Sequence, residues 1–275
     1  SSNPKAPAIG PSQGTQADAY HNTVLWTGTG RDGRRITGVG FDPDWVWIKS
    51  RNLTTSHLLT DTVRGANKSL FSEATTVETA DNGGGYLSAF VTDGFSVTSG
   101  SSGDDAVNDG SDTYASWNWL AGTAFSNDAS ATGVGTLDSS GQVNTTAGFS
   151  IVSFTGGSTQ GSTLKHGLDT APSMVIAKAR TAAQNWWVFH SSLGYTKNTA
   201  LNLTNASATD NNTWLASPTS SLITIGDNFT TSNNYIAYCF ANTDGYLKAG
   251  SYTGNGNADG AFIFTGFRPS WILVR

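Results

Sequence analysis

The densest group of acidic side chains lies in one short segment and could bind a cation. Within nine residues it contains Asp104, Asp105, Asn108, Asp109 and Asp112. Oxygen atoms on a flexible loop are the ligands that Ca²⁺ takes in proteins. The spacing does not fit an EF-hand, and the same composition is typical of a solvated loop built from Asx turns. We therefore predict no metal site and keep this loop as the calcium candidate to locate in the structure.

The side chains that hydrolytic catalysis needs do not form a recognisable set. A glycosidase requires two carboxylates across one cleft, yet glutamate occurs only at Glu73 and Glu78, and most aspartates stand beside glycine or asparagine in turn-like segments. The single cysteine, Cys239, excludes internal disulfides and cysteine-based zinc sites. We predict no catalytic residues and no cofactor, and hence a protein that is not an enzyme.

Aromatic side chains near loops are the other candidates, because their rings can stack on sugars. In Asn185-Trp186-Trp187, strand alternation sends the two indole rings to opposite faces, so one is expected in the core and the other on a surface. Tyr195 and Tyr246 also lie near loops. These four residues, Trp186, Trp187, Tyr195 and Tyr246, are the candidate ligand-binding set of a carbohydrate-binding module.

The segments that carry these residues show the two-residue period of β-strands. Large side chains alternate in 45–49, 114–119 and 149–154, and clusters of Gly, Asn, Asp and Ser separate such runs. The fold class is predicted to be all-β, as tandem antiparallel β-sandwich or barrel-like modules. Arg31, Arg34 and Arg35 are the only tight basic group and suit a hairpin tip, so we expect no nucleic-acid partner. No apolar run is long enough to insert into a membrane.

The same sequence pattern occurs three times. Gly40–Lys49 returns as Gly266–Arg275, 226 residues later, and a looser copy lies at 171–178, offset by 129. A proline precedes the strand in each copy, and we expect Trp45 and Trp271 to be core anchors. The predicted organisation is an extended N-terminal arm (1–20), β-repeat unit 1 (21–122), a Ser/Thr/Gly-rich linker (123–147), β-repeat unit 2 (148–250) and the start of a third repeat (251–275).

Several segments in order resemble a known family of proteins. They are 56–65, 148–156, 166–178, 185–194, 235–241 and 250–260. Together they resemble the repeats of tail-fibre-like and other virion structural proteins of tailed, marine-type bacteriophages. The resemblance implies a protein of the virion surface, made in the host cytoplasm, that forms a homo-oligomer, with a trimer as the common form in fibres. Its partners would be other virion proteins and a host surface glycan, and it offers no catalytic residues to transfer.

The sequence leaves alternative functions open within this picture. The main expectation is a tail fibre or fibre-like appendage that takes part in host attachment. Capsid decoration and a surface carbohydrate-binding module are alternatives, and a polysaccharide-degrading tail spike is a further one. The third copy breaks off at Arg275 as its strand is completed, which leads us to expect the ordered part of a longer fibre.

Overall fold

A computed structural model describes residues 17–80, 83–100, 107–230 and 232–275. Its strands pair antiparallel in several sheets, which confirms the all-β prediction. The described residues include three short helical turns: 3₁₀ turns at Ala17–Ala19 and Asp227–Phe229, and α1 at Ala129–Thr132. The strands are β1 (His21–Thr27), β2 (Arg34–Thr37), β3 (Trp45–Ser50), β4 (Leu58–Asp61), β5 (Leu70–Phe71), β6 (Leu87–Val91), β7 (Gly94–Val97), β8 (Thr113–Trp119), β9 (Thr123–Asn127), β10 (Ser139–Asn144), β11 (Phe149–Thr155), β12 (Thr163–Lys165), β13 (Met174–Ala179), β14 (Trp187–His190), β15 (Lys197–Ala200), β16 (Ala208–Thr209), β17 (Leu222–Thr224) and β18 (Asn234–Phe240).

The first half of the chain is a sandwich of two sheets. A five-stranded sheet in the order β1-β8-β3-β4-β5 packs on a three-stranded sheet in the order β2-β7-β6. Alternate side chains of both sheets meet between them, because successive residues of a strand point to opposite faces. This first core consists of Trp26, Ile36, Val46, Ile48, Leu58, Leu87, Phe95, Val97, Val107 and Tyr114.

The second half contains a larger sheet and a small one. The large sheet has the order β16-β15-β14-β13-β18-β11-β10-β9, and the small sheet pairs β12 with β17. The second core lies against one face of the large sheet, where Phe154 stacks on Tyr235 and Trp214 contacts Phe229. Leu164 and Ile223 contribute to it from the small sheet.

A third, central core joins the two halves face to face. It is formed by the remaining faces of the two large sheets, from Trp45, Trp47 and Trp119 on one side to Phe149, Tyr238 and Phe240 on the other. The Trp45 ring lies 4.4 Å from that of Trp119 and 4.3 Å from that of Tyr238, between ring centroids. Strand β3 is therefore buried on both faces, which explains its nearly continuous apolar sequence.

The segment 123–147 is not the linker that its composition predicts. It contains β9, α1 and β10, and β10 pairs with both β9 and β11. Its few apolar side chains, Phe125, Leu137 and Val143, pack against the second core. Gly141 lets β10 approach closely, because a Cβ atom there would overlap the Ile151 carbonyl oxygen. Composition misses these strands because backbone hydrogen bonds hold them while their side chains are mostly small and polar.

The two ends of the chain also bear on the predicted organisation. Most of the predicted arm lies outside the described residues, which begin at residue 17. The start of a third repeat was predicted over 251–275, yet the structure assigns these residues to no helix or strand. Trp45 is fully buried and Trp271 half-buried, so the anchor prediction is correct for Trp45 and holds in part for Trp271. Within the described part of the chain, no helix has the length and apolar character to cross a membrane.

Candidate functional site

The two adjacent tryptophans do point to opposite faces, but they form no exposed platform. Trp186 is fully buried in the central core, and its Nε1 donates a hydrogen bond of 2.8 Å to the carbonyl oxygen of Phe71. Trp187, at the start of β14, is half-buried and packs against the second core. The Trp186 ring is thus closed to a ligand, and the pair is divided between two cores.

The two tyrosine candidates differ in accessibility. Tyr195 is 42% exposed, so its ring can meet a ligand from solvent. Tyr246 is half-buried, and the edge of its ring meets Tyr20 with 6.3 Å between ring centroids. Burial raises the pKa of the Tyr246 hydroxyl well above its usual value. Of the four aromatic candidates, Tyr195 is therefore the most accessible.

The described part of the acidic loop is bound to the protein itself. Asn108 is buried; its Oδ1 accepts the Thr29 N–H at 3.1 Å, and its Nδ2 donates to the Arg31 carbonyl oxygen at 2.7 Å. Asp109 accepts the N–H of the next residue, and Asp112 accepts a 2.7 Å hydrogen bond from Asn52. These bonds fasten the loop to the β1–β2 turn and to the loop after β3.

Two members of the calcium candidate, Asp104 and Asp105, lie outside the described residues. Among the residues that the structure does describe, no group of three His, Cys, Asp or Glu side chains is close enough to hold a metal ion. The calcium candidate therefore remains the alternative to our prediction of no metal site.

The histidines are held as neutral rings by local packing. His166 is buried; its Nδ1 accepts the Leu168 N–H at 3.2 Å, and burial lowers its pKa to about 4. Burial also lowers the pKa of His21, whose ring lies 4.8 Å from that of Trp119, to about 4. The Nδ1 of His57 accepts a 2.9 Å hydrogen bond from Trp47, a partner that fixes the ring rather than activating it.

Lys178, the last residue of the sequence copy at 171–178, holds the turn that follows β13. Lys178 Nζ donates to the carbonyl oxygens of Ala179 at 2.8 Å and of Ala182 at 3.5 Å, and also reaches Thr75 at 3.2 Å. Burial lowers the pKa of Lys178 to about 8. A lysine with a lowered pKa can be a nucleophile, but this amine is enclosed by backbone carbonyls. The Cys239 thiol is buried as well, and burial raises its pKa to about 12.

A shallow groove of about 530 Å³ lies in the first half of the chain. It is lined by Arg35, Asp42, Asp44, Thr62 and Phe90. Asp44 is the residue of chemical interest there, because burial raises the pKa of its carboxyl. Its Oδ2 accepts the N–H groups of Ala121 and Gly122 at 2.9 and 2.6 Å. The carboxylate thus ties the end of β8 to the start of β3 and does not face the groove as a free acid.

A buried polar cluster joins the two halves of the molecule. We call it the polar seam; it comprises Asp61, Arg64, Glu78, Arg180 and Tyr238. Arg64 and Asp61 have fully buried side chains and form a 2.6 Å ion pair. The Tyr238 hydroxyl, from the second half, donates to Asp61 at 2.7 Å. Arg180 binds both oxygens of Glu78, at 2.9 and 3.0 Å.

The electrostatics of the polar seam favour its charged form. Burial disfavours charge on Arg64, but Asp61, Tyr238 and Glu78 together outweigh burial and raise the pKa of Arg64. Burial alone would raise the pKa of Glu78, yet the hydrogen bond from Arg180 and the two nearby guanidinium groups lower it. The seam is satisfied internally and fastens the halves together. One sequence feature pointed to this cluster: at the offset of 129, Asp61 corresponds to His190, so the two positions differ in type.

An unusual apolar surface lies at the end of the chain, in residues 247–275, the C-terminal segment. Phe262 is 91% exposed, Ile272 68% and Val274 61%, and Tyr252 and Phe264 are also exposed. Two other residues of the segment, Leu247 and Trp271, pack against the central core, and the Trp271 ring meets that of Trp119 at 5.3 Å. The segment thus rests on the molecule by one side and leaves most of its other apolar side chains exposed.

A comparison with protein families identifies the chain. A family model described as a domain of unknown function, DUF7483, matches residues 16–275. The chain therefore belongs to this family. No curated protein and no solved structure matches it.

Proposed function

We propose that this member of the DUF7483 family is a bacteriophage virion structural protein, a tail fibre or fibre-like appendage that takes part in host attachment. The observation that carries the proposal is the matching strand order of the two large sheets, in a molecule whose buried polar groups hold the scaffold together. Repetition suits a protein that extends and presents a surface, because an active site has no need of duplication.

The strand order of the two large sheets supports tandem modules. The order β1-β8-β3-β4-β5 in the first half has the counterpart β11-β18-β13-β14-β15 in the second. The register of strand pairing agrees as well. Trp119 of β8 pairs with His21 of β1 and with Trp45 of β3, and Phe240 of β18 pairs in the same way with Phe149 of β11 and Met174 of β13. On this basis, units 21–122 and 148–250 are two copies of one module, with 123–147 added to the sheet of the second.

Matching hydrogen bonds in the two halves support the same conclusion. Lys49 Nζ donates to the carbonyl oxygens of Ser50 and Leu53, at the positions where Lys178 uses Ala179 and Ala182. The Thr62 N–H binds the Asp44 carbonyl, and 129 residues later the Ser191 N–H binds that of Ser173. What recurs is a strand-end lysine and its turn, which are parts of a scaffold.

The burial and hydrogen bonding of the potentially reactive side chains support a non-enzymatic role. Lys178 and Cys239 are enclosed, and His57 and His166 are fixed by hydrogen bonds. The most strongly coupled carboxylates, Asp61 and Glu78, are paired with guanidinium groups. None of these groups combines access to solvent with a partner that would activate it.

A homo-oligomer, with a trimer as the expected form, follows from the fibre assignment, and other virion proteins would be its partners. Native mass spectrometry at micromolar concentration tests this expectation, together with peptide mass spectrometry of purified particles that encode the chain. We expect a single oligomer in solution and the chain among the particle proteins. Monomers alone would contradict the fibre, and absence from washed particles would contradict the virion assignment.

Glycan binding is the second function that we propose, and the exposure of Tyr195 favours it. An exposed tyrosine can stack on a sugar face, and a low content of charged residues suits recognition through hydroxyl and amide groups. A glycan array probed with the protein and with Tyr195→Ala tests the proposal. A ligand that is lost in the variant supports it, while no hit, or an unchanged one, contradicts it.

A further inference from the structure

The groove in the first half of the chain has the size of a small-ligand site. Its volume of about 530 Å³ lies within the range of about 300–1,000 Å³ that is usual for ligand pockets. Arg35 of β2, Asp42 of the loop before β3 and Phe90 of β6 line it together with Thr62 and Thr92. Side chains that are far apart in the sequence therefore converge on one concave surface, as a binding site requires.

The backbone around the groove is held in place by one carboxylate. The Asp93 side chain accepts the N–H groups of Gly40 and Gly38 at 2.7 and 3.0 Å, and these two hydrogen bonds lower the pKa of Asp93. The Asp93 N–H in turn donates to Oδ1 of Asp42 at 2.9 Å. The loop that carries Asp42 and the turn after β6 are thus fixed to each other, which lowers the entropy cost of binding a ligand against them.

Two charged side chains at the groove keep hydrogen-bonding capacity for a ligand. Arg35 is exposed, and the one hydrogen bond that its guanidinium makes within the described residues runs to the Thr92 carbonyl oxygen at 3.4 Å, although the group has five N–H donors. Asp42 is exposed as well, and among the described residues only its Oδ1 accepts a hydrogen bond. Donors and an acceptor at one groove match neighbouring hydroxyl groups, because a hydroxyl can both accept and donate.

The charges around the groove favour a neutral ligand. Arg35 is close enough to Asp93 to help lower the pKa of that carboxyl, in addition to its two backbone hydrogen bonds. Asp42 is bonded to the same turn, so positive and negative groups are interspersed and neither an anion nor a cation meets a surface of one sign. Phe90 adds an apolar part to the lining; it is half-buried, packs against the first core, and can contact the face of a sugar ring.

The acidic side chain at the groove is not part of the repeated scaffold. At the offset of 129, Pro43 corresponds to Pro172, and each of these prolines precedes a strand, but Asp42 corresponds to Ala171. The second half therefore enters β13 without a carboxylate at this position. Since the strand entry does not require Asp42, its exposed carboxylate is available for a role that the second half lacks.

We propose that this groove binds one ring of a neutral sugar, with Arg35 and Asp42 bound to neighbouring hydroxyl groups and Phe90 against the ring. The inference rests on the proposed glycan binding and adds to Tyr195 a second site, in the first half of the chain. Asp44 also lines the groove, but its Oδ1 accepts a hydrogen bond from a threonine hydroxyl and its Oδ2 accepts two backbone N–H groups. The groove therefore binds a sugar without cleaving it.

Amide shifts in the ¹H–¹⁵N nuclear magnetic resonance spectrum of the full chain test this site. The probes are the methyl glycosides of glucose, galactose, mannose and N-acetylglucosamine, each at up to roughly 50 mM, because a ligand of one ring is expected to bind with a dissociation constant of about 1–10 mM. We expect at least one of them to shift the amides of Gly38, Gly40, Thr92 and Asp93 in a saturable way. Glycerol offers hydroxyl groups without a ring face and should leave these amides unshifted at the same concentration.

Matched variants assign the amide shifts to the groove. Arg35→Met should weaken sugar binding at least about tenfold, because it removes charged hydrogen-bond donors. Arg31→Met, at another exposed arginine that does not line the groove, should leave binding unchanged. Asp42→Asn keeps an acceptor for the Asp93 N–H and should weaken binding about threefold or more, because it loses a charge-assisted hydrogen bond.

Three results would overturn the proposal. Sugars that shift only the amides around Tyr195 would exclude the groove and leave glycan binding itself intact. Equal binding by Arg35→Met and Arg31→Met would also exclude it, as would inorganic phosphate that shifts the groove amides more strongly than any sugar, since the groove would then be an anion site. No shift anywhere with any of the four sugars would contradict both this site and the proposed glycan binding.

Discussion

Replacing Arg64 by methionine should destabilise the molecule more than replacing Tyr238 by phenylalanine or Arg180 by methionine in the polar seam. The guanidinium lies 2.6 Å from the Asp61 carboxylate and 2.9 Å from the carbonyl oxygens of Leu59 and Lys68, with no exposure of either charged side chain. Removing one partner of a buried ion pair leaves an uncompensated charge, which costs about 3–5 kcal/mol. Methionine keeps much of the side-chain volume, so the loss reports charge and hydrogen bonding rather than a cavity.

Two further variants of the polar seam serve as comparisons for this loss of stability. Arg180→Met removes a guanidinium that is 20% exposed, and it leaves Glu78 in contact with Arg64, so a cost of about 0–1 kcal/mol is expected. Tyr238→Phe removes the hydroxyl that donates to Asp61, and a hydrogen bond to a charged group contributes about 1.5–3 kcal/mol. The expected order of cost is Arg64→Met, then Tyr238→Phe, then Arg180→Met.

Urea unfolding followed by tryptophan fluorescence and by far-ultraviolet circular dichroism measures these free energies, provided that the two probes give coincident transitions. The double variant Asp61→Asn/Arg64→Met should lose less than the sum of its single variants, with a coupling of about 0.5–3 kcal/mol. The reasoning is refuted if Arg64→Met costs less than about 1 kcal/mol, or if Arg180→Met costs as much.

Three further predictions follow from burial. Burial lowers the pKa of His21 and His166 from 6.5 to about 4, so between these pH values the unfolded chain binds protons that the folded chain does not. Stability should therefore fall as pH falls from 6.5 to about 4, and unfolding of the double variant His21→Asn/His166→Asn should depend less on pH in this window; equal dependence contradicts this. Gly141→Ala should cost more than about 2 kcal/mol in urea unfolding, because its Cβ atom would overlap a β11 carbonyl oxygen, whereas Gly250→Ala meets open space and should change little. The buried Cys239 thiol, whose pKa is raised to about 12, should react with a thiol reagent at pH 8 only as the chain unfolds, and rapid labelling of the folded protein would contradict its burial.

The strands were predictable where their side chains alternate in size. Trp45–Ser50 and Thr113–Trp119 carry large residues at every second position or on both faces, and both form central strands. Strand β10 was not predictable in this way, because its sequence, Ser-Ser-Gly-Gln-Val-Asn, contains one large apolar residue. Strand β10 is held by backbone hydrogen bonds to β11, and amino-acid composition does not indicate where such bonds form.

The polar seam and the central core depend on how the halves meet, which no local pattern encodes. Arg64 contacts Tyr238 from 174 residues away along the sequence. The sequence predicted that the rings of Trp186 and Trp187 point to opposite faces of their sheet. It did not predict that both faces are covered, because that depends on the central core on one side and the second core on the other. Residues 271–275 were predicted to form a strand, but the structure assigns them to no helix or strand.

Gold-labelled antibody against this chain, imaged on intact particles by electron cryotomography, tests the central claim most directly. Particles whose genome encodes the chain are compared with particles from which its gene has been deleted. A structural appendage protein predicts label at regular positions along tail fibres, with loss of both label and fibre in the deletion. Label on the capsid surface would favour decoration instead, and unlabelled particles that adsorb normally without the gene would contradict the account.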